Sequence, residues 1–141
     1  MSKHLSSPPF QLGSAQLELL IEQQLRNPIG RPVSEFVNST MFTTYVRVGP
    51  LCFVEGKRES AIVLARVDIP EKFRGQRVFP ALLETFEALA LRFDFKYVMV
   101  ECVHHEWLVT WLIRNGFEMH GLPNEGAPTL RKRVRATYTN S

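Results

Sequence analysis

Apolar residues recur along this chain with two different periods, and the order in which those periods alternate outlines the architecture. From Ser14 to Arg26, the residues Leu17, Leu20, Ile21 and Leu25 fall at helical spacing. Ser14 is placed to cap the start and Asn27 with Pro28 ends the run, so an amphipathic first helix is predicted. A second, weaker helical stretch is read over Val33 to Asn38. Met41 to Val48 is rich in β-branched and aromatic residues and stops at Gly49 and Pro50, which predicts a strand. Leu51 to Val54 and Ala61 to Ile69 read as further strands, joined by the charged turn Glu55, Gly56, Lys57, Arg58, Glu59 that suits a hairpin. Pro70 closes this antiparallel part.

The strongest helix signal follows, over Gln76 to Arg92, with Phe79, Leu82, Leu83, Phe86, Leu89 and Ala90 on one face. Pro80 fits only its first turn, where a missing amide hydrogen costs little. Tyr97 to Val103 is an apolar run broken only by Glu101, as expected of a central strand buried on both faces, and it implies a parallel crossover. Glu106 to Asn115 reads as a short helix, with Gly116 where a left-handed cap belongs. Phe117 to His120 and Thr129 to Val134 complete the sheet, pairing across the loop Gly121 to Pro128. The sum is a mixed α/β sandwich.

Composition narrows the picture without redirecting it. At 141 residues, with 45% hydrophobic and 22% charged positions, one core is expected. A loose Ser- and Pro-rich tail is expected over 1–12, one domain over 13–136 and a short tail over 137–141. No apolar run approaches the roughly 20 residues of a membrane span, so no transmembrane helix and no membrane partner are expected. Met1 to Phe10 lacks the features of a secretory signal. Cys52 and Cys102 each sit in an apolar stretch without metal-ligand spacing, which suits reduced, buried thiols in a cytoplasmic protein. His104, His105 and His120 suggest no metal, because adjacent histidines at a strand end point in different directions. Trp107 and Trp111, one helical turn apart, read as core packing.

The sharpest local feature is Val67, Asp68, Ile69, Pro70, Glu71, Lys72, Phe73, Arg74, Gly75, Gln76, Arg77, Val78, Phe79, which leaves a strand, turns and enters the long helix. Free amide hydrogens and the dipole at a helix start favour an anion, and Arg74 and Arg77 add charge. Taken alone, an Arg-Gly turn equally serves to join strand to helix. Together with the strand Tyr97 to Val103 and the ending Arg114, Asn115, Gly116, Phe117, however, the segment from Ser60 to Phe117 resembles the GNAT superfamily of N-acyltransferases. That family's phosphate loop reads Gln or Arg, any, any, Gly, any, Gly or Ala, and Arg74 matches its first position.

The resemblance implies a mixed, mostly antiparallel sheet with a central parallel strand pair and flanking helices. It further implies that acetyl-coenzyme A enters between the splayed parallel strands as co-substrate. Its pantetheine arm would lie along Val67, Asp68 and Ile69, bonding to the backbone of Val67 and Ile69. Its pyrophosphate would meet the amides of Arg74, Gly75, Gln76, Arg77, Val78 and Phe79. Two departures stand out. Arg77 and Phe79 occupy the family's small positions, where glycine lets backbone approach phosphate closely. Phe79 must then turn its ring toward the core, while Arg77 either clamps a phosphate oxygen or fills the space it needs; the clamp is favoured.

Acetylation of an amine requires a neutral nucleophile, a polarised carbonyl and a proton for the leaving thiolate. The position matching the family's usual proton-donating tyrosine holds Leu112, beside Trp111. His105, where the family has an asparagine, is a candidate acid or base, and reads equally well as a plain helix-start residue. Glu101 is the other catalytic candidate, although pairing with Arg66 or a histidine would account for it. Tyr45 is a further residue within reach, and Glu59 and Asp68 flank the strand before the loop. Positioning alone can also carry acyl transfer. The expected activity is acetyl transfer to a primary amine of a small molecule or protein. The rival is a catalytically degenerate member of the same fold that acts by binding a protein partner, inhibition of that partner being one form of it. A nucleic-acid role for the basic run Arg131, Lys132, Arg133 and Arg135 ranks last, and a homodimer is compatible with either leading reading.

Overall fold

A computed structural model describes residues 7–101, 103–121 and 126–135. The expected tail over 137–141, Cys102 and most of the loop before Pro128 lie outside the described residues. The chain forms α1 (Pro8–Leu25), β1 (Val33–Asn38), β2 (Thr43–Val54), β3 (Lys57–Asp68), a 3-10 turn (Glu71–Phe73), α2 (Val78–Arg92), β4 (Tyr97–Val100), α3 (Glu106–Arg114), β5 (Glu118–His120) and β6 (Thr129–Arg133). One six-stranded sheet runs in the order β1-β2-β3-β4-β6-β5. Only β3 and β4 are parallel; every other neighbouring pair is antiparallel. This is the mixed, mostly antiparallel sheet with a central parallel pair that the resemblance implied.

Three expectations need correction. The first helix begins at Pro8 rather than Ser14, so residues 8–12 are helix and not loose tail. Proline opens a first turn without loss, and Phe10 anchors that turn in the core, its ring 5.3 Å from Phe42. Gly13 permits the approach: a Cβ there would lie 2.6 Å from the buried Phe42 ring. Second, Val33–Asn38 is a strand, not a helix, and pairs antiparallel with β2. The Gln16 side chain fixes its end to α1, donating to the Asn38 carbonyl at 2.6 Å and accepting from the Asn38 amide at 2.9 Å. Third, β2 continues through Gly49 and Pro50. A register shift between Gly49 and Cys52 takes Pro50 out of the ladder, so its missing amide hydrogen is not needed there. The hairpin turn is then only Glu55 and Gly56, both with positive φ (48° and 82°).

The helix-facing side of the sheet carries the main core, in which Ile62, Leu64, Val98 and Val100 meet Leu82, Phe86 and Leu112. A smaller cluster, Cys52, Ala61, Val63, Tyr97 and Met99, lies on the other face. All four residues of β4 are thus buried, as its unbroken apolar run requires.

The two parallel strands separate near their C-terminal ends. Their pairing runs from Ala61 with Tyr97 to Leu64 with Val100, and the last bond joins the Glu101 amide to the Leu64 carbonyl (3.0 Å). A second register shift places Tyr45 opposite Arg66 but Val46 opposite Leu64, leaving Ala65 as an extra residue in β3. Such a bulge bends its strand. Beyond it β3 stays with β2 as far as Asp68, while the chain after β4 turns to the other side, where the Val103 amide bonds to the Pro128 carbonyl (2.8 Å).

Candidate acyl-coenzyme A site

The split between the parallel strands opens into a cavity of about 690 Å³. The end of β3 supplies Val67 and Asp68 to its wall, the connecting segment supplies Ile69, Phe73, Arg74, Gly75 and Arg77, and the start of α2 supplies Val78, Phe79 and Pro80. The facing wall is the start of α3, with His105, Trp107, Leu108 and Trp111. Of the nine residues expected to hold the coenzyme, Gln76 is the one absent from this wall; its side chain donates instead to the Lys72 carbonyl (3.0 Å).

The loop builds an electropositive corner. Residue Arg77 precedes α2 in the left-handed region (φ 60°, ψ 31°), and no side chain caps the helix. The amides of Val78 and Phe79 therefore start a turn without intrahelical partners, and Pro80 has none to offer. Gly75, at φ 81°, makes the preceding reversal. Arg74 is held against the strand end, its Nε donating to the Ile69 carbonyl (3.1 Å), which orients the guanidinium beside the loop. The Arg77 side chain has no hydrogen bond or ion pair among the described residues. Backbone donors, a helix start and two guanidinium groups converging on one cavity suit a pyrophosphate.

The apolar part of the cavity departs from expectation at one of its two tryptophans. Trp111, half-buried, packs against the main core as expected, but Trp107 is 69% exposed, and both line the cavity. Phe79 does turn inward, packing on the main core and on Trp111 with ring centroids 6.0 Å apart. Leu112 is fully buried and takes no part in the wall. The sequence carried a signal for the tryptophans in their one-turn spacing, but a face that lines a cleft shows the same spacing as one that fills a core.

The two catalytic candidates are placed differently. His105 stands just before α3 without a side-chain capping bond, lines the cavity and stacks on Trp107 with centroids 5.9 Å apart. Glu101 lies just past the end of β4, outside the cavity wall, and is paired with Arg47 of β2 rather than with Arg66. Arg66 instead pairs with Asp68 (3.1 Å). Tyr45 is likewise away from the wall, donating to the Ser34 hydroxyl at 2.9 Å. In the C-terminal basic run, Arg131 pairs with Glu118 and Lys132 with Glu87, both at 2.8 Å. Arg131 also bonds His120 Nδ1 (3.0 Å), and burial, reinforced by that guanidinium, holds the His120 imidazole below its usual pKa.

No family model matches the sequence, and no curated protein matches it. Solved structures do resemble the fold. A protein from Klebsiella pneumoniae assigned as an acyl-CoA N-acyltransferase superposes with a TM-score of 0.51 at 17% identity, over 96% of each chain. A protein from Agrobacterium tumefaciens assigned as an acetyltransferase gives 0.52 at 16% identity, over 94% of this chain and 96% of that one. The fold is the GNAT fold, reached through a divergent sequence.

Proposed function

We propose that the chain is an acyl-coenzyme A dependent N-acyltransferase, moving an acetyl group from acetyl-coenzyme A to a primary amine of a small molecule or protein. The observation that carries this reading is the coincidence of the strand split, the uncapped start of α2 and Arg74 with Arg77 on one cavity. In it, the backbone at Val67, Asp68 and Ile69 receives the pantetheine arm. The loop from Arg74 to Phe79 holds the pyrophosphate, with amides as donors and Arg77 as a clamp. Trp107 and Trp111 shield the thioester from water, and His105 moves the proton that the leaving thiolate needs. Glu101 takes no proton-transfer role, since Arg47 already engages it. Much of the acceleration would come from holding amine and thioester together.

A second reading, a degenerate member that binds a protein partner, is favoured by Leu112 and Arg77, which stand where the family keeps a proton donor and a glycine. Calorimetric titration with acetyl-coenzyme A separates the two. Micromolar binding followed by amine-dependent thiol release is expected of the transferase. A folded protein that binds no coenzyme would instead be an adaptor.

A further inference from the structure

A second cavity, of about 510 Å³, lies on the opposite flank of α3 and is lined by Val103, His104, Glu106, Val109, Thr110 and Pro128, among others. With about 100° of rotation per residue, α3 directs Trp107, Leu108 and Trp111 to the coenzyme cavity and Glu106, Val109 and Thr110 to this one. The partition continues into the link before the helix, where His104 faces the second cavity and His105 the first. Two adjacent residues thus place an imidazole in each chamber, at the open end of the split strand pair.

The chambers differ in charge. In a chain of net charge +3, the first cavity gathers Arg74 and Arg77 against Asp68, whereas among the described residues the second is lined by Glu106 and by no lysine or arginine. Neither Glu106 nor His104 has a side-chain hydrogen bond or ion pair among the described residues. An exposed carboxylate and an exposed imidazole that line one cavity, next to a cavity suited to an anion, complement a cation that must lose a proton before it reacts.

Building on the proposed acyl transfer, we infer that this second cavity is the acceptor site and that it takes a primary aliphatic amine as its ammonium ion. Glu106 holds the charge and His104 accepts one proton. The freed nitrogen lone pair attacks the thioester carbonyl carbon; the C–N bond forms, the C–S bond breaks, and the electron pair leaves on sulfur. The second proton shed by nitrogen neutralises the thiolate, and the proton on His104 passes to solvent.

The test is titration of the full chain with putrescine, followed by the imidazole proton signals, with His104 assigned by comparison with His104→Gln. The His104 signal should move while that of His105 stays in place, and the Glu106→Gln variant should need about tenfold or more putrescine for the same shift. Aniline, neutral at the same pH, should move neither. A His104 signal unmoved by millimolar putrescine, or a folded Glu106→Gln variant with an unchanged midpoint, overturns the site. In parallel, acetyl-coenzyme A turnover should show a raised KM for putrescine in Glu106→Gln with coenzyme affinity unchanged. Putrescine bound at His104 without thiol release would instead defeat the transferase reading and leave the ammonium site standing.

Discussion

Phe79 and Trp111, both in the wall of the 690 Å³ cavity, meet with ring centroids 6.0 Å apart and planes tilted by 58°. The chain has two tryptophans and both line this cavity, so indole emission is a direct reporter of its occupancy. Acetyl-coenzyme A should change the emission saturably, with the midpoint found by calorimetry, and Trp111→Phe should remove much of that change. Calorimetric binding with silent tryptophans would place the ligand elsewhere. Phe79→Ala should cost about 1 to 2 kcal/mol of stability, below the range for a fully buried phenylalanine because this ring is only half-buried.

Arg77 holds a left-handed backbone conformation that glycine adopts without strain. Arg77→Gly relieves roughly 1 to 2 kcal/mol of that strain, against about 0.4 to 1 kcal/mol of added freedom in the unfolded chain. The variant should therefore unfold at slightly higher denaturant while binding acetyl-coenzyme A more weakly, because the guanidinium clamp is gone. Tighter binding would mean that Arg77 obstructs the phosphate instead.

Arg74→Ala should weaken coenzyme affinity by about 1 to 3 kcal/mol if the guanidinium bonds the pyrophosphate. The variant also loses the bond from Nε to the Ile69 carbonyl, so its unfolding midpoint should be measured beside its affinity. Unchanged affinity in a folded variant would remove Arg74 from the site.

Glu101 was legible as a carboxylate interrupting an apolar run, but the strand ends before it at Val100, and its partner was not legible, because Arg47 lies on a strand two places across the sheet and no local spacing joins them. With the pair partly exposed, at 38% for Arg47 and 25% for Glu101, Glu101→Gln should lower stability by about 0.5 to 1 kcal/mol. Its kcat should stay within a factor of a few of the parent. A loss of about a hundredfold or more would restore Glu101 as a general base.

The same distinction between local and distant information runs through the fold. The strand, loop and helix from Ala61 to Arg92 were readable because the turn after Pro70 and the apolar stripe are local signals. Over Val33 to Asn38 the local pattern does not separate helix from strand, since a spacing of four, as between Val33 and Val37, fits both; the pairing with β2 and the clamp from Gln16 decide between them. The early start of α1 depended on Phe10 finding Phe42, and the second cavity on which flank of α3 each side chain joins. Those are tertiary facts, and one sequence does not print them.

The His120 imidazole, kept below its usual pKa of 6.5 by burial and then by Arg131, gives the fold a pH signature away from the cavity. Its neutral Nδ1 accepts a bond from Arg131, which a proton would abolish. The unfolded chain binds that proton more readily than the folded one, so stability rises with pH through this range. It is fully present above the usual imidazole pKa and falls as the pH drops below it. Denaturant midpoints measured from about pH 8 to 5 should decline for the parent protein and decline less for His120→Gln, with carboxylate effects entering mainly below that window. Parallel curves for the two proteins would show that His120 is as easily protonated in the fold as outside it.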